Sequence, residues 1–83
     1  MSNIKIELYT ANWCSACKNV KPIIESLEDF EKEIVDVEQE TDRAVSLSIR
    51  SIPVVRVLKG GEETKRFVGN TSKQEITTYL ESL

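Results

Sequence analysis

Between Ile4 and Val37 the apolar pattern of this chain changes period twice. Ile4-Lys5-Ile6-Glu7-Leu8-Tyr9 alternates apolar and polar residues, the repeat of a strand with one face buried. Val20, Ile23, Ile24, Leu27 and Phe30 then recur at steps of three and four, which predicts a helix from Cys14 to about Phe30 with one apolar face. Pro22 inside it removes an amide donor and is expected to bend its early turns. Ile34-Val35-Asp36-Val37 is a short β-branched run and reads as a second strand. Strand, helix and strand in this order make a βαβ unit, with parallel strands and a right-handed crossover.

The remainder completes the sheet. Gln39-Glu40-Thr41-Asp42 supplies cap-type residues, so a short helix is expected to start at Thr41 or Asp42, with Ala44, Val45 and Leu47 on its apolar side. Val54-Val55-Arg56-Val57-Leu58 is the strongest strand signal. Lys59-Gly60-Gly61-Glu62 is a turn, and Glu63–Val68 returns as its hairpin partner. Gly69-Asn70-Thr71 ends that strand. Ser72 and Glu75 have the spacing of a capping box, followed by Ile76, Tyr79, Leu80 and Leu83 as the apolar face of a last helix. Phe67 and Tyr79 are core candidates. By strand phase, Glu7 and Arg56 are expected to pair across neighbouring strands. The predicted order is β-α-β-α-β-β-α, an α/β fold with a mixed four-stranded sheet flanked by three helices.

Composition narrows the function. The 83 residues suit one domain spanning 1–83. Eleven basic residues against fourteen acidic ones leave a net charge of −3, which argues against a nucleic-acid partner. No apolar run approaches the roughly 20 residues of a membrane helix. The start Met1-Ser2-Asn3-Ile4-Lys5 lacks a signal-peptide pattern, so a cytoplasmic location is expected. With no His and two Cys, one chain cannot build a four-ligand Cys/His zinc site, a Ser-His-Asp triad or a Cys-His pair.

The two cysteines, Cys14 and Cys17, form Cys-x-x-Cys. Such a pair can be core filling, half of a metal site, or a redox couple. Its place, after a strand and at the start of a helix, favours redox chemistry. First-turn amides have no intrahelical acceptor, and the helix dipole adds partial positive charge there. Thiol pKa values at such places commonly fall from about 8.5 to roughly 3.5–7.5. The spacing also puts both sulfurs on one side of one turn, within disulfide reach.

At these residues the chain resembles the thioredoxin/glutaredoxin family. Trp13-Cys14-Ser15-Ala16-Cys17-Lys18 looks like the thioredoxin motif Trp-Cys-Gly-Pro-Cys-Lys, and Pro22 matches the kink proline of the helix behind it. Ile49-Arg50-Ser51-Ile52-Pro53 is similar to the family's Ile-Arg-Gly-Ile-Pro, whose proline follows a cis bond. Lys59-Gly60-Gly61-Glu62 and Val68-Gly69 match its hairpin turn and Val-Gly. The resemblance implies a small thioredoxin-like fold and a thiol–disulfide oxidoreductase that reduces protein disulfides without a cofactor beyond the Cys14–Cys17 disulfide. Cys14 would attack the substrate disulfide and Cys17 would resolve the mixed disulfide. Trp13, Ile52, Pro53 and Gly69 would hold substrate backbone. The implied partners are disulfide-containing proteins and an electron donor, either a flavoprotein thioredoxin reductase or glutathione. A monomer with no metal is expected.

Three departures stand out. Ser15-Ala16 replaces Gly-Pro between the cysteines. Leu8 stands where thioredoxins carry a buried Asp, and Ile34 falls where a buried Lys accompanies it, so both members of that pair are replaced by apolar residues. Without the Asp, Cys17 is expected to have a raised pKa and a slower resolving step. Alternatives to the protein reductase are a glutathione-dependent carrier, a module in which two chains share a metal or cluster, and a binding subunit without redox turnover.

Overall fold

The computed structural model describes residues 3–83, so Met1 and Ser2, on which the signal-peptide reading partly rests, lie outside the described residues. In chain order the elements are β1 (Ile4–Thr10), α1 (Cys17–Glu25), β2 (Glu31–Asp36), α2 (Thr41–Ser46), β3 (Val54–Lys59), β4 (Glu62–Val68) and α3 (Lys73–Glu81). They form a four-stranded sheet in the order β2-β1-β3-β4. β1 and β2 are parallel, while β3 runs antiparallel to both β1 and β4. The predicted order and mixed sheet are therefore observed.

One sheet face carries the main core. Ile6 and Leu8 of β1 and Val55 and Val57 of β3 meet Val20 and Ile24 of α1, Leu27 beyond it, and Ile76 and Leu80 of α3. Fully burying one such side chain contributes about 1.5–3 kcal/mol. Phe67 and Tyr79 close the β4 side of this core as an edge-to-face pair with centroids 6.0 Å apart. The capping box forms as expected: Glu75 N–H donates to Ser72 Oγ at 3.0 Å, and Ser72 N–H donates to Glu75 Oε1 at 2.9 Å. Gly60 and Gly61 make the β3–β4 turn with φ of 61° and 86°.

Several boundaries differ from the sequence reading. α1 begins at Cys17, not Cys14, because the preceding residues form a tighter turn in which Cys14 N–H reaches Ala11 O and Lys18 N–H reaches Ser15 O. It ends at Glu25, where Ser26 Oγ donates to Ile23 O at 2.6 Å and closes the last turn. Leu27 and Phe30 nevertheless pack into the same core, so their helical spacing continues through turns that are not helix. Pro22 lies inside α1. β2 starts at Glu31, three residues before the apolar run, since Lys5 and Glu31 already pair in register. Val45 is 69% exposed rather than turned inward, and Leu83 lies beyond the end of α3 and is 38% exposed.

The second sheet face is divided. Near the C-terminal end of β1, Tyr9, Val35 and Val54 form a small cluster packed by Val37, Leu47, Ile49 and Ile52. The remainder is covered by paired charges. Arg56 Nη1 and Tyr9 OH each donate to Glu7 Oε1 at 2.7 Å, and Arg43 Nη2 donates to Glu7 Oε2 at 2.9 Å. Arg43 also grips both oxygens of Glu33 at 2.8 and 2.9 Å, and Lys5 adds a third bond at 2.8 Å. On the other flank Arg56 and Arg66 share Glu63. The expected Glu7–Arg56 pair is thus one link of a network that ties α2 to the sheet through Arg43.

This network sets the acid response. Burial pushes the Glu7 carboxyl up, but the hydrogen bonds of Tyr9 and Arg56 and the charges of Arg56 and Arg43 outweigh it and hold the group below its ordinary value. Hydrogen bonds from Arg43 and Lys5 hold Glu33 down at about 2. Carboxylates depressed on folding stabilise fully above their unfolded values, near 4.5, and lose that stabilisation as pH falls toward about 2. Denaturant unfolding across a pH series is expected to show stability level above about pH 5 and falling between about 4.5 and 2. Glu33→Gln should make that slope shallower; an unchanged slope would mean Glu33 is not one of the titrating groups.

Candidate active site

Strand register brings four chain segments to one end of the sheet. β1 and β2 finish there, with Val37 N–H donating to Thr10 O at 2.9 Å. β3 begins there, with Val54 opposite Tyr9, and β4 finishes there, with Val68 opposite Val54. Trp13, Cys14, Cys17, Ile52, Pro53 and Gly69, far apart in sequence, all lie on or beside the loops of this end.

Cys14 and Cys17 form a disulfide. The Cys17 amide donates to Cys14 Sγ at 3.1 Å, so the first helical N–H is aimed at the sulfur of the first cysteine. No acidic residue occupies the first turn of α1, and nothing there counters that positive end. Cys14 is 6% exposed and Cys17 2%. Both sulfurs are thus buried, Cys14 slightly the less so.

The Ile52–Pro53 bond is cis, as the resemblance implied. Pro53 is buried, and its carbonyl accepts from Gly69 N–H at 2.8 Å. Gly69 needs its positive φ of 85° to make this turn, which a side chain would strain. Ile52 rests on the Tyr9 cluster, and among the described residues nothing hydrogen-bonds its amide or carbonyl. Its backbone hydrogen-bonding groups therefore have no partner within the described chain. Val68, next to Gly69, is a further exposed apolar residue at 61% exposure, and strand alternation in β4 was the signal that could have found it.

Trp13 is 67% exposed, in keeping with a contact surface. Its Nε1 donates to Glu38 Oε2 at 2.9 Å. Glu38 was not singled out in the sequence; an Asp36 side chain accepting from Glu38 N–H at 2.8 Å turns the chain there and brings Glu38 to the ring. Among the described residues no cluster of three or more Cys, Asp or Glu is arranged to hold a metal ion, and no helix is long and apolar enough to cross a membrane. Leu8 is fully buried next to Ile34 in register, whereas Ile34 is 36% exposed at the sheet edge. Only the first of the two apolar replacements lies in the core.

Residues 2–82 match the family model described as Thioredoxin. The chain belongs to the thioredoxin family. It is 31% identical to a thioredoxin of Staphylococcus haemolyticus, over 96% of this chain and 82% of that one. It is 32% identical to the chloroplastic M-type thioredoxin of Zea mays, over 88% of this chain and 47% of the maize protein, so it spans about half the length of that relative. Among solved structures, a mutant thioredoxin from Halobacterium salinarum NRC-1 superposes with a TM-score of 0.91 over 98% of this chain and 74% of that one; at 23% identity it shows the thioredoxin fold. Fasciola hepatica thioredoxin superposes with a TM-score of 0.84 at 27% identity, over 96% of this chain and 81% of that one. Family and disulfide together make this a thiol–disulfide oxidoreductase, and they do not favour the glutaredoxin alternative.

Proposed function

We propose that Cys14 is the nucleophile and Cys17 the resolving thiol of a protein-disulfide reductase. The observation that carries this reading is the Cys17 amide aimed at Cys14 Sγ on a helix start free of acidic residues. Reduced Cys14 attacks a substrate disulfide as a thiolate and releases one substrate thiol. Cys17 then attacks Cys14 Sγ, frees the second substrate thiol and closes the Cys14–Cys17 bond. Trp13, 67% exposed and next to Cys14 in sequence, offers a contact surface beside the reacting sulfur. The unpartnered backbone of Ile52, beside Pro53 and Gly69, takes the substrate as an added strand. Substrates are disulfide-containing proteins, and the electron donor is a flavoprotein thioredoxin reductase. The chain acts as a monomer in the cytoplasm, where such a couple is kept reduced.

Re-reduction of the oxidised chain separates the donors. Thioredoxin reductase with NADPH is expected to regenerate the dithiol within the time of a protein-disulfide reduction assay, and glutathione with its own reductase is not. The reverse result would overturn the assigned donor.

A further inference from the structure

Beside Cys17 the surface opens into a cleft of about 200 Å³ lined by Thr10, Ala11, Asn12, Cys17, Lys18 and Lys21. We infer that this cleft is the proton exit of the resolving thiol and that Lys21 favours its thiolate.

The inference rests on the proposed roles of the two cysteines. Before Cys17 can attack, its thiol must lose a proton, and it lies at 2% exposure at the head of a helix whose inner face packs on an apolar core. β1 presents Ile6 and Leu8 to α1, β3 presents Val55 and Val57, and α3 presents Ile76 and Leu80. The charged residues of these strands face away: Glu7 and Arg56 bond each other on the opposite side of the sheet. Glu38, in the neighbouring loop, is held by the Trp13 indole. The cleft is the exception, since Thr10, Asn12, Lys18 and Lys21 line it together with Cys17. Lys21 follows Cys17 by one helical turn, a spacing that sets Cβ atoms about 5–6 Å apart on one face. Lys18 lines the same cleft but adjoins Cys17 in sequence, a spacing at which helical side chains do not face each other. Lys21 touches no reacting atom and acts through Cys17.

The step balances without a further reagent. The Cys17 proton passes to solvent in the cleft. The thiolate attacks Cys14 Sγ, forming the Cys14–Cys17 bond and breaking the Cys14–substrate bond, and the departing thiolate takes up a proton. Two electrons pass from the cysteine pair to the substrate sulfurs.

The test uses the reduced chain in a single turnover with dithiodipyridine, an uncharged disulfide that releases one thiopyridone at capture and a second at resolution. For Lys21→Gln the second phase is expected to slow about threefold below its midpoint pH, and that midpoint to rise by about half a unit, with the first phase unchanged. Lys21→Arg should restore both, and added salt should shrink the difference. A second phase indifferent to Lys21→Gln, two phases that shift together, or failure of Lys21→Arg to restore the rate would each overturn the inference. A wild-type chain with no fast first phase would instead overturn the nucleophile assignment.

Discussion

Cys17→Ser is expected to convert the chain from a reductase that turns over into a trap. Cys14 keeps the amide of residue 17 and the acid-free helix start, so capture of a substrate disulfide proceeds. No second thiol lies within reach, because the chain holds two cysteines. The mixed disulfide should therefore persist, visible by mass spectrometry as a covalent adduct, and steady-state reduction should fall on the order of a thousandfold, to the rate of release by external thiol. Cys14→Ser should lose the same turnover and form no adduct, since the remaining sulfur is the more buried one. Stable adducts on Cys14→Ser, and none on Cys17→Ser, would reverse the two assignments.

The second large effect concerns folding. Glu7→Gln keeps the shape of the side chain but removes a charge that is 4% exposed and bonded to Arg43, Arg56 and Tyr9. Two guanidinium groups then lose their shared counter-charge in a partly dry setting. The cost of breaking such a pair from one side is about 2–4 kcal/mol. In a domain of this size that lowers Tm by about 10–20 °C. Replacing Glu7, Arg43 and Arg56 together with apolar residues of similar volume should recover part of the loss, because Glu33 keeps Lys5 and Glu63 keeps Arg66, while the buried Tyr9 hydroxyl loses its acceptor. Urea unfolding measures both, and a loss below about 0.5 kcal/mol for Glu7→Gln would mean that water replaces the carboxylate freely.

The contrast between Glu7 and Arg43 shows what was legible in the sequence. Strand phase alone placed Glu7 opposite Arg56, since register follows from alternation. Arg43 sits on a helix of six residues, too short for a periodic signal, and reads there as a solvated charge; only the folded chain carries it to Glu7, Glu33 and the face of Tyr9, 5.7 Å from the ring centre. Val45 was misplaced for the same reason. This end of the sheet was legible because Trp13-Cys14-Ser15-Ala16-Cys17-Lys18, Ile52-Pro53 and Val68-Gly69 resemble thioredoxin-family segments, whereas residue types alone would have left Pro53 trans. Glu38 and the Thr10–Asn12 wall of the cleft use ordinary residues, whose meaning comes from neighbours distant in the chain. The length of α1 was overstated because Leu27 and Phe30 keep a helical spacing through turns.

The ion pairs over the second sheet face bear on how the protein responds to heat. Hydration of charges becomes less favourable as temperature rises, so the penalty for keeping these groups partly dry diminishes on warming. Polar area exposed on unfolding also offsets part of the heat-capacity increment contributed by apolar area. A sheet covered in this way has a broader stability curve than one roofed wholly by hydrocarbon, and it keeps more of its strength at the hot end of its range.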